Sequence, residues 1–196
     1  MQHLLKSVFF AGALLAVGYS AQAQEEQRFE MMPDEQKDGR PMMVGPMTFL
    51  DLEQFREFKL RERAEAYMPD IEKMGQLTKM LRGHTLKVFF GTWCEDSEKL
   101  IPQLFQVLQM ANVPIELIPL YALDHQKKSI GADTAYATYE IEKVPTIIVL
   151  RGNDEIGRIT ETVDKSVEAD LLKILETGTP KIKRAPKEKP KKDTAD

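Results

Sequence analysis

Cys94 is the only cysteine of the chain, and it stands in the run Trp93-Cys94-Glu95-Asp96-Ser97. Thiolate, rather than thiol, is the nucleophilic form of cysteine, and its formation depends on the local field. Lys87-Val88-Phe89-Phe90 precedes the run and reads as a buried strand. Leu100, Ile101, Leu104, Phe105, Val107 and Leu108 follow at amphipathic helical spacing. The pattern predicts strand, tight turn and helix, with the sulfur at the helix N-terminus. There the first N–H groups lack intrahelical partners and the dipole is positive, which favours a thiolate. Glu95 and Asp96 act the other way, because a second negative charge beside a carboxylate is disfavoured. The plainer alternative is a small buried hydrophobe, the commonest role of a free cysteine. A single cysteine excludes an intrachain disulfide. His3, His84, His125 and Cys94 show no metal-ligand spacing, so neither metal nor cofactor is predicted.

The elements that must hold this thiol read as follows. Thr48-x-x-Asp51 opens a helix as a capping box, and helical patterning runs on to Tyr67. Pro69 opens a second helix, with Ile71, Met74, Leu77 and Leu81 on one face and Gly83 as its stop. The strand Leu86–Phe90 feeds Cys94, and the helix after it runs to about Ala111, bent by Pro102. Ile115–Leu120 reads as a second strand, 124–133 as a polar loop with a solvated His125, and 134–141 as a short helix. Thr146–Leu150 and Glu155–Glu161 form a hairpin, and a helix over 163–177 closes the domain before Gly178 and Pro180. A parallel pair joined by a right-handed crossover, then an antiparallel hairpin, makes a mixed α/β sheet with helices on both faces.

The Trp-Cys-x-x pattern at a strand-to-helix turn, with Pro102 later in the helix and Val144-Pro145-Thr146 before a strand, resembles the thioredoxin-like superfamily. In particular it resembles small exported bacterial members with a monothiol Trp-Cys-x-x-Ser site. The resemblance spans roughly residues 69–177. It implies a thioredoxin-like fold, a central mixed sheet flanked by helices, here with an extra N-terminal helix over 48–67. It implies a catalytic role for Cys94, assisted by Ser97 as hydrogen-bond donor to the thiolate. It further implies substrate contacts at Trp93, at Val144 and Pro145 in a cis-proline loop, and at Gly157 beside the groove. Peptide backbone would pair with the residue before the proline, a form of β-augmentation. Two departures limit the chemistry. Ser97 replaces the second, resolving thiol, and Val88 stands where thioredoxins bury an acid. A dithiol cycle within one chain is thereby excluded. The chemistry implied is monothiol thiol–disulfide exchange through a mixed disulfide, with protein or small-molecule thiols and disulfides as partners. The alternative is a redox-inactive module that binds peptides or proteins.

Composition bounds the rest. The chain has 196 residues, 42% hydrophobic and 30% charged, with a net charge of −4, which points to one soluble domain with tails and not to nucleic-acid binding. Residues 1–23 read as a signal peptide. Lys6 supplies the basic end, 7–19 a short apolar stretch, and Ala21-Gln22-Ala23 the cleavage site, with cleavage after Ala23. The chain is therefore expected to be periplasmic or secreted, with no membrane span after cleavage. Residues 24–47 carry Pro33, Gly39, Pro41, Gly45 and Pro46 without periodicity and read as a flexible, methionine-rich arm. The thioredoxin-like domain, with its helical extension, occupies 48–178. Residues 179–196, rich in Lys with Pro186 and Pro190, read as a disordered basic tail.

Overall fold

A computed structural model describes residues 29–130 and 134–180. The expected signal peptide, the start of the arm and most of the basic tail lie outside the described residues.

Twelve principal elements follow one another: β1 (Glu30–Asp34), β2 (Arg40–Met47), α1 (Phe49–Gln54), α2 (Leu60–Glu65), α3 (Ile71–Met80), β3 (His84–Phe90), α4 (Glu95–Met110), β4 (Leu120–Ala122), α5 (Ala135–Thr138), β5 (Thr146–Arg151), β6 (Asp154–Thr160) and α6 (Val167–Thr177). The strands make one six-stranded sheet in the order β1-β2-β4-β3-β5-β6. Only β3 and β4 run parallel; the other neighbours are antiparallel. This is the mixed α/β sheet that the resemblance implied.

Side-chain alternation along the central strands divides the core in two. Leu86, Val88 and Phe90 of β3, with Ile147 and Val149 of β5, join one large apolar cluster to which α1, α2, α3, α4 and α6 all contribute. Phe89, Ile148 and Leu150 point the other way. They pack with Leu123, Ile141 and Val144 beneath α5 and the long loop, and Trp93 and Cys94 lie against this second cluster. The sulfur therefore sits where the helix-bearing layer meets the loop-bearing layer. Among the described residues no helix is long and apolar enough to cross a membrane.

Several expectations are corrected. The arm over 24–47 is not free from residue 30 onward. Residues 30–47 form an antiparallel hairpin that extends the sheet, with Pro33 opposite Pro41 and a turn through Asp38 and Gly39, both at positive φ. Met42, Met43, Val44 and Met47 are buried, at 7%, 2%, 1% and 4% exposure. Residues 42–45 of β2 are buried in succession, so no alternation marks it as a strand.

The helix expected over 48–67 is broken. The Thr48–Asp51 capping box is present, but α1 ends at Gln54, a 3-10 turn spans Arg56–Phe58, and Lys59 at φ 51° resets the chain into α2. The spacing explains the break. Residues three apart on a helix turn by about 60° per step, so Phe49, Leu52, Phe55 and Phe58 would cover half the circumference of one straight helix. Broken into pieces, the segment buries all four. In α3, Asp70 is the cap and Ile71 is 72% exposed, so Met74 and Leu77 face inward without it.

The strand expected at 115–120 is displaced. Pro114 leads a 3-10 turn over Ile115–Leu117, and the strand begins only after Pro119. The final helix starts at Val167 rather than near Val163, because the Ser166 hydroxyl accepts the Ala169 N–H at 3.3 Å and caps it there.

Candidate functional site

Strand β3 and helix α4 meet in a tight turn that presents Cys94. The Cys94 N–H donates to the Gly91 carbonyl at 3.0 Å, and the Cys94 carbonyl accepts the Glu98 N–H at 3.0 Å. Cys94 is thus the N-cap of α4, with extended backbone (φ −93°, ψ 124°). Pro102 lies buried inside α4 without ending it.

The sulfur is half-buried and free, and its S–H points at the Val144 carbonyl, 3.5 Å away. The Val144–Pro145 peptide is cis. Two bonds hold this loop. The Thr146 hydroxyl donates to the Lys143 carbonyl at 2.8 Å, and the Pro145 carbonyl accepts the Glu161 N–H at 2.8 Å. Cys94, Val144 and Pro145, fifty residues apart in sequence, are therefore brought together.

The field at the helix start is mixed. Glu95, Asp96 and Glu98 all lie in the first turn of α4. They suit the unpaired N–H groups of the helix start. Glu98 is drawn away by Arg63 of α2, whose guanidinium donates to its carboxylate at 2.8 Å and to its carbonyl at 3.1 Å. Next to this pair a cavity of about 530 Å³ is lined by Arg63, Tyr67, Glu95, Lys99 and Gln103, and Cys94 is not part of its wall.

Ser97 engages the backbone of the turn through its Oγ. It is fully buried, and its Oγ accepts the Gly91 N–H at 3.2 Å. Its place one turn into α4 aims it back into the strand-to-helix turn, which it closes. Gly157 lies in β6. It pairs with Val149 in mid-strand, next to a bulge, and a Cβ added to it would lie 2.6 Å from Ile174 Cγ2 of α6. Close packing against Ile174 of α6 therefore disfavours a side chain there.

Trp93 stands beside the thiol, and its indole N–H donates to the Leu123 carbonyl at 2.8 Å. Its ring stacks on His125, with centroids 4.0 Å apart and planes at 30°. His125, expected to be solvated, is instead held by Asp34 at 2.8 Å from Nε2 to Oδ1. Asp34 is 1% exposed. Burial pushes its carboxyl up, but the bonds from His125 and the Gln36 N–H outweigh this and hold it below its usual value. Lys37 Nζ donates to the Trp93 carbonyl at 2.7 Å, and Lys127 Nζ lies 5.2 Å from the indole centroid. Asp34, Lys37 and His125 carry no local motif. Ninety-one positions separate Asp34 from His125, and the β1–β2 hairpin brings them together.

No family model matches the chain. A thioredoxin from Chlamydia pneumoniae is 28% identical over 90 residues, which cover 46% of this chain and 80% of that protein. Among solved structures, an HIV epitope scaffold is similar at TM-score 0.45 and 18% identity, covering 65% of this chain and 87% of its own. A protein of unknown function from Pseudomonas aeruginosa is similar at TM-score 0.41 and 18% identity, covering 64% and 84%. The mixed sheet with its flanking helices, taken with the similarity to thioredoxin, gives a thioredoxin-like fold.

Proposed function

We propose that the chain is an exported thioredoxin-like protein that carries out monothiol thiol–disulfide exchange through Cys94. The observation that carries this reading is the placement of the one thiol. It is half-exposed at the start of α4, against the carbonyl that precedes Pro145. That carbonyl also marks where an extended peptide would pair with the Val144 backbone.

The chemistry follows from the residues present. Cys94 loses its proton to solvent, and the thiolate attacks one sulfur of a substrate disulfide. A Cys94–substrate disulfide forms as the substrate S–S bond breaks, and the other substrate sulfur leaves as a thiolate that takes up a proton. A second thiol, from the substrate or from a small glutathione-like compound, then attacks the mixed disulfide and restores Cys94. No net oxidation or reduction of the chain results. Ser97 cannot resolve the intermediate, so the bonding partner must. Isomerisation of disulfides or removal of small thiol adducts fits this cycle better than bulk reduction.

A second reading, a redox-inactive module that binds peptides, is favoured by one feature: within the fold the thiol is already engaged as a hydrogen-bond donor to the Val144 carbonyl. Acid quenching and alkylation of cells, followed by non-reducing gels and intact mass, decides between them. A crosslink or mass shift removed by reduction and absent in Cys94→Ser supports exchange. A thiol found only free, with partner binding unchanged in Cys94→Ala, supports the binding module.

A further inference from the structure

Both residues that precede Cys94 are held by the N-terminal hairpin. The Thr92 hydroxyl accepts the Met43 N–H of β2 at 3.0 Å, and the Trp93 carbonyl accepts Lys37 Nζ at 2.7 Å. The indole is held from its other side by the His125 stack, and His125 is tied to Asp34. Asp34 Oδ1 also accepts the Gln36 N–H at 2.9 Å, while the buried Oδ2 has no partner among the described residues. A buried carboxylate is costly unless paired, so His125 cannot swing away without leaving Asp34 with a single backbone bond. The Lys127 ammonium closes the assembly, donating to the His125 carbonyl at 2.9 Å while it lies over the indole. The hairpin thus reaches the thiol through contacts that the strand–turn–helix unit does not supply.

We propose that Asp34, Lys37 and His125 are positioning residues that latch Trp93 beside Cys94 and thereby set which disulfides reach the sulfur. The proposal rests on the exchange reading. Trp93 and Val144 pack in the same apolar cluster as Cys94. With the indole latched, a small disulfide reaches the sulfur past its edge, whereas a bulky one requires the ring to move. Releasing the latch therefore narrows the difference between the two.

The test uses the full chain and two readouts. Trp93 is the only tryptophan, so its emission and acrylamide quenching report the ring alone. The rates of Cys94 with bis(2-hydroxyethyl) disulfide and with a disulfide-linked peptide report access. In His125→Ala the emission is expected to move to the red and the quenching to rise. The preference for the small disulfide is expected to fall by about tenfold, the factor that ~1.4 kcal/mol gives. Lys37→Met, a change at the hairpin surface, is expected to move both readouts in the same direction by less, and it carries the test should His125→Ala not fold. A purely structural role would lower the melting temperature and leave the rate ratio unchanged. Unchanged emission and unchanged ratio in the folded variants overturn the latch. Should the wild-type thiol react with neither disulfide, the exchange reading fails while the emission still decides the latch. A red shift then upholds the hold on Trp93, and its absence refutes it.

Discussion

Gly91→Ala is the perturbation that tests the site geometry most sharply. Gly91 begins the strand-to-helix turn, and its φ is not positive, so alanine meets no backbone strain there. The obstacle is the indole. A Cβ on residue 91 would lie 2.6 Å from Trp93 Cε2 and 2.7 Å from Nε1. The ring must retreat to the 3.4 Å or more of ordinary contact, and it is rigid and stacked on His125. Retreat breaks the 2.8 Å bond from the indole N–H to Leu123. Overpacking costs about 1–3 kcal/mol and the lost hydrogen bond about 1 kcal/mol, so a loss of roughly 2–4 kcal/mol is expected. For a domain of this size that lowers the Tm by roughly 5–15 °C. Urea unfolding gives the loss, and the emission of Trp93 shows whether the ring moved. A variant within about 0.5 kcal/mol of the parent, with unchanged emission, would refute the placement of the indole over Gly91.

Three further outcomes follow from the same contacts. Ser97→Ala leaves the buried Gly91 N–H without its acceptor and should cost about 1–3 kcal/mol in urea unfolding, yet change the rate of Cys94 alkylation little; a large fall in rate at unchanged stability would restore Ser97 as a partner of the thiolate. Gly157→Ala forces a methyl against Ile174 and should cost about 1–3 kcal/mol without changing Cys94 reactivity, as unfolding and alkylation rates will show. The third outcome concerns Tyr67 and Glu168, which form a half-buried link between the chain after α2 and α6 through a 2.7 Å bond. Burial, then the bond to Glu168, pushes the Tyr67 hydroxyl up to about 12, so its contribution is full below its ordinary value of 10.0 and is lost as pH rises towards about 12. For Glu168, burial raises the carboxyl but the bonds from Tyr67 and the Asp70 N–H outweigh it and leave it below 4.5; its contribution is full above 4.5 and is lost as pH falls below that value. Tyr67→Phe should flatten both limbs of the stability–pH curve, and parallel curves for parent and variant would contradict this link.

The strand–turn–helix unit around Cys94 was legible because its signals are local: an apolar run, a Trp-Cys turn and a helical stripe lie within about twenty positions. The cap at Thr48 and the β5–β6 hairpin were legible for the same reason. The β1–β2 hairpin was not, because Pro33, Pro41 and Pro46 mimic a loop and burial on both faces of β2 erases the alternation that marks a strand. That one misreading also hid Asp34 and Lys37, and made His125 look solvated. The contacts of Ser97 and Gly157 were not legible for a different reason. Serine and glycine suit many environments, and only the third dimension shows that one closes a turn on Gly91 and the other admits Ile174.

The most direct measurement of the central claim is the rate at which oxidised glutathione modifies Cys94, followed by intact mass at neutral pH on the folded chain and on the chain in urea. The expected result is a single adduct on the folded protein, formed no more slowly than on the unfolded chain, removed by a reductant and absent from Cys94→Ser. An adduct that appears only in urea would show that the fold shelters this thiol instead of presenting it, and would contradict exchange at Cys94.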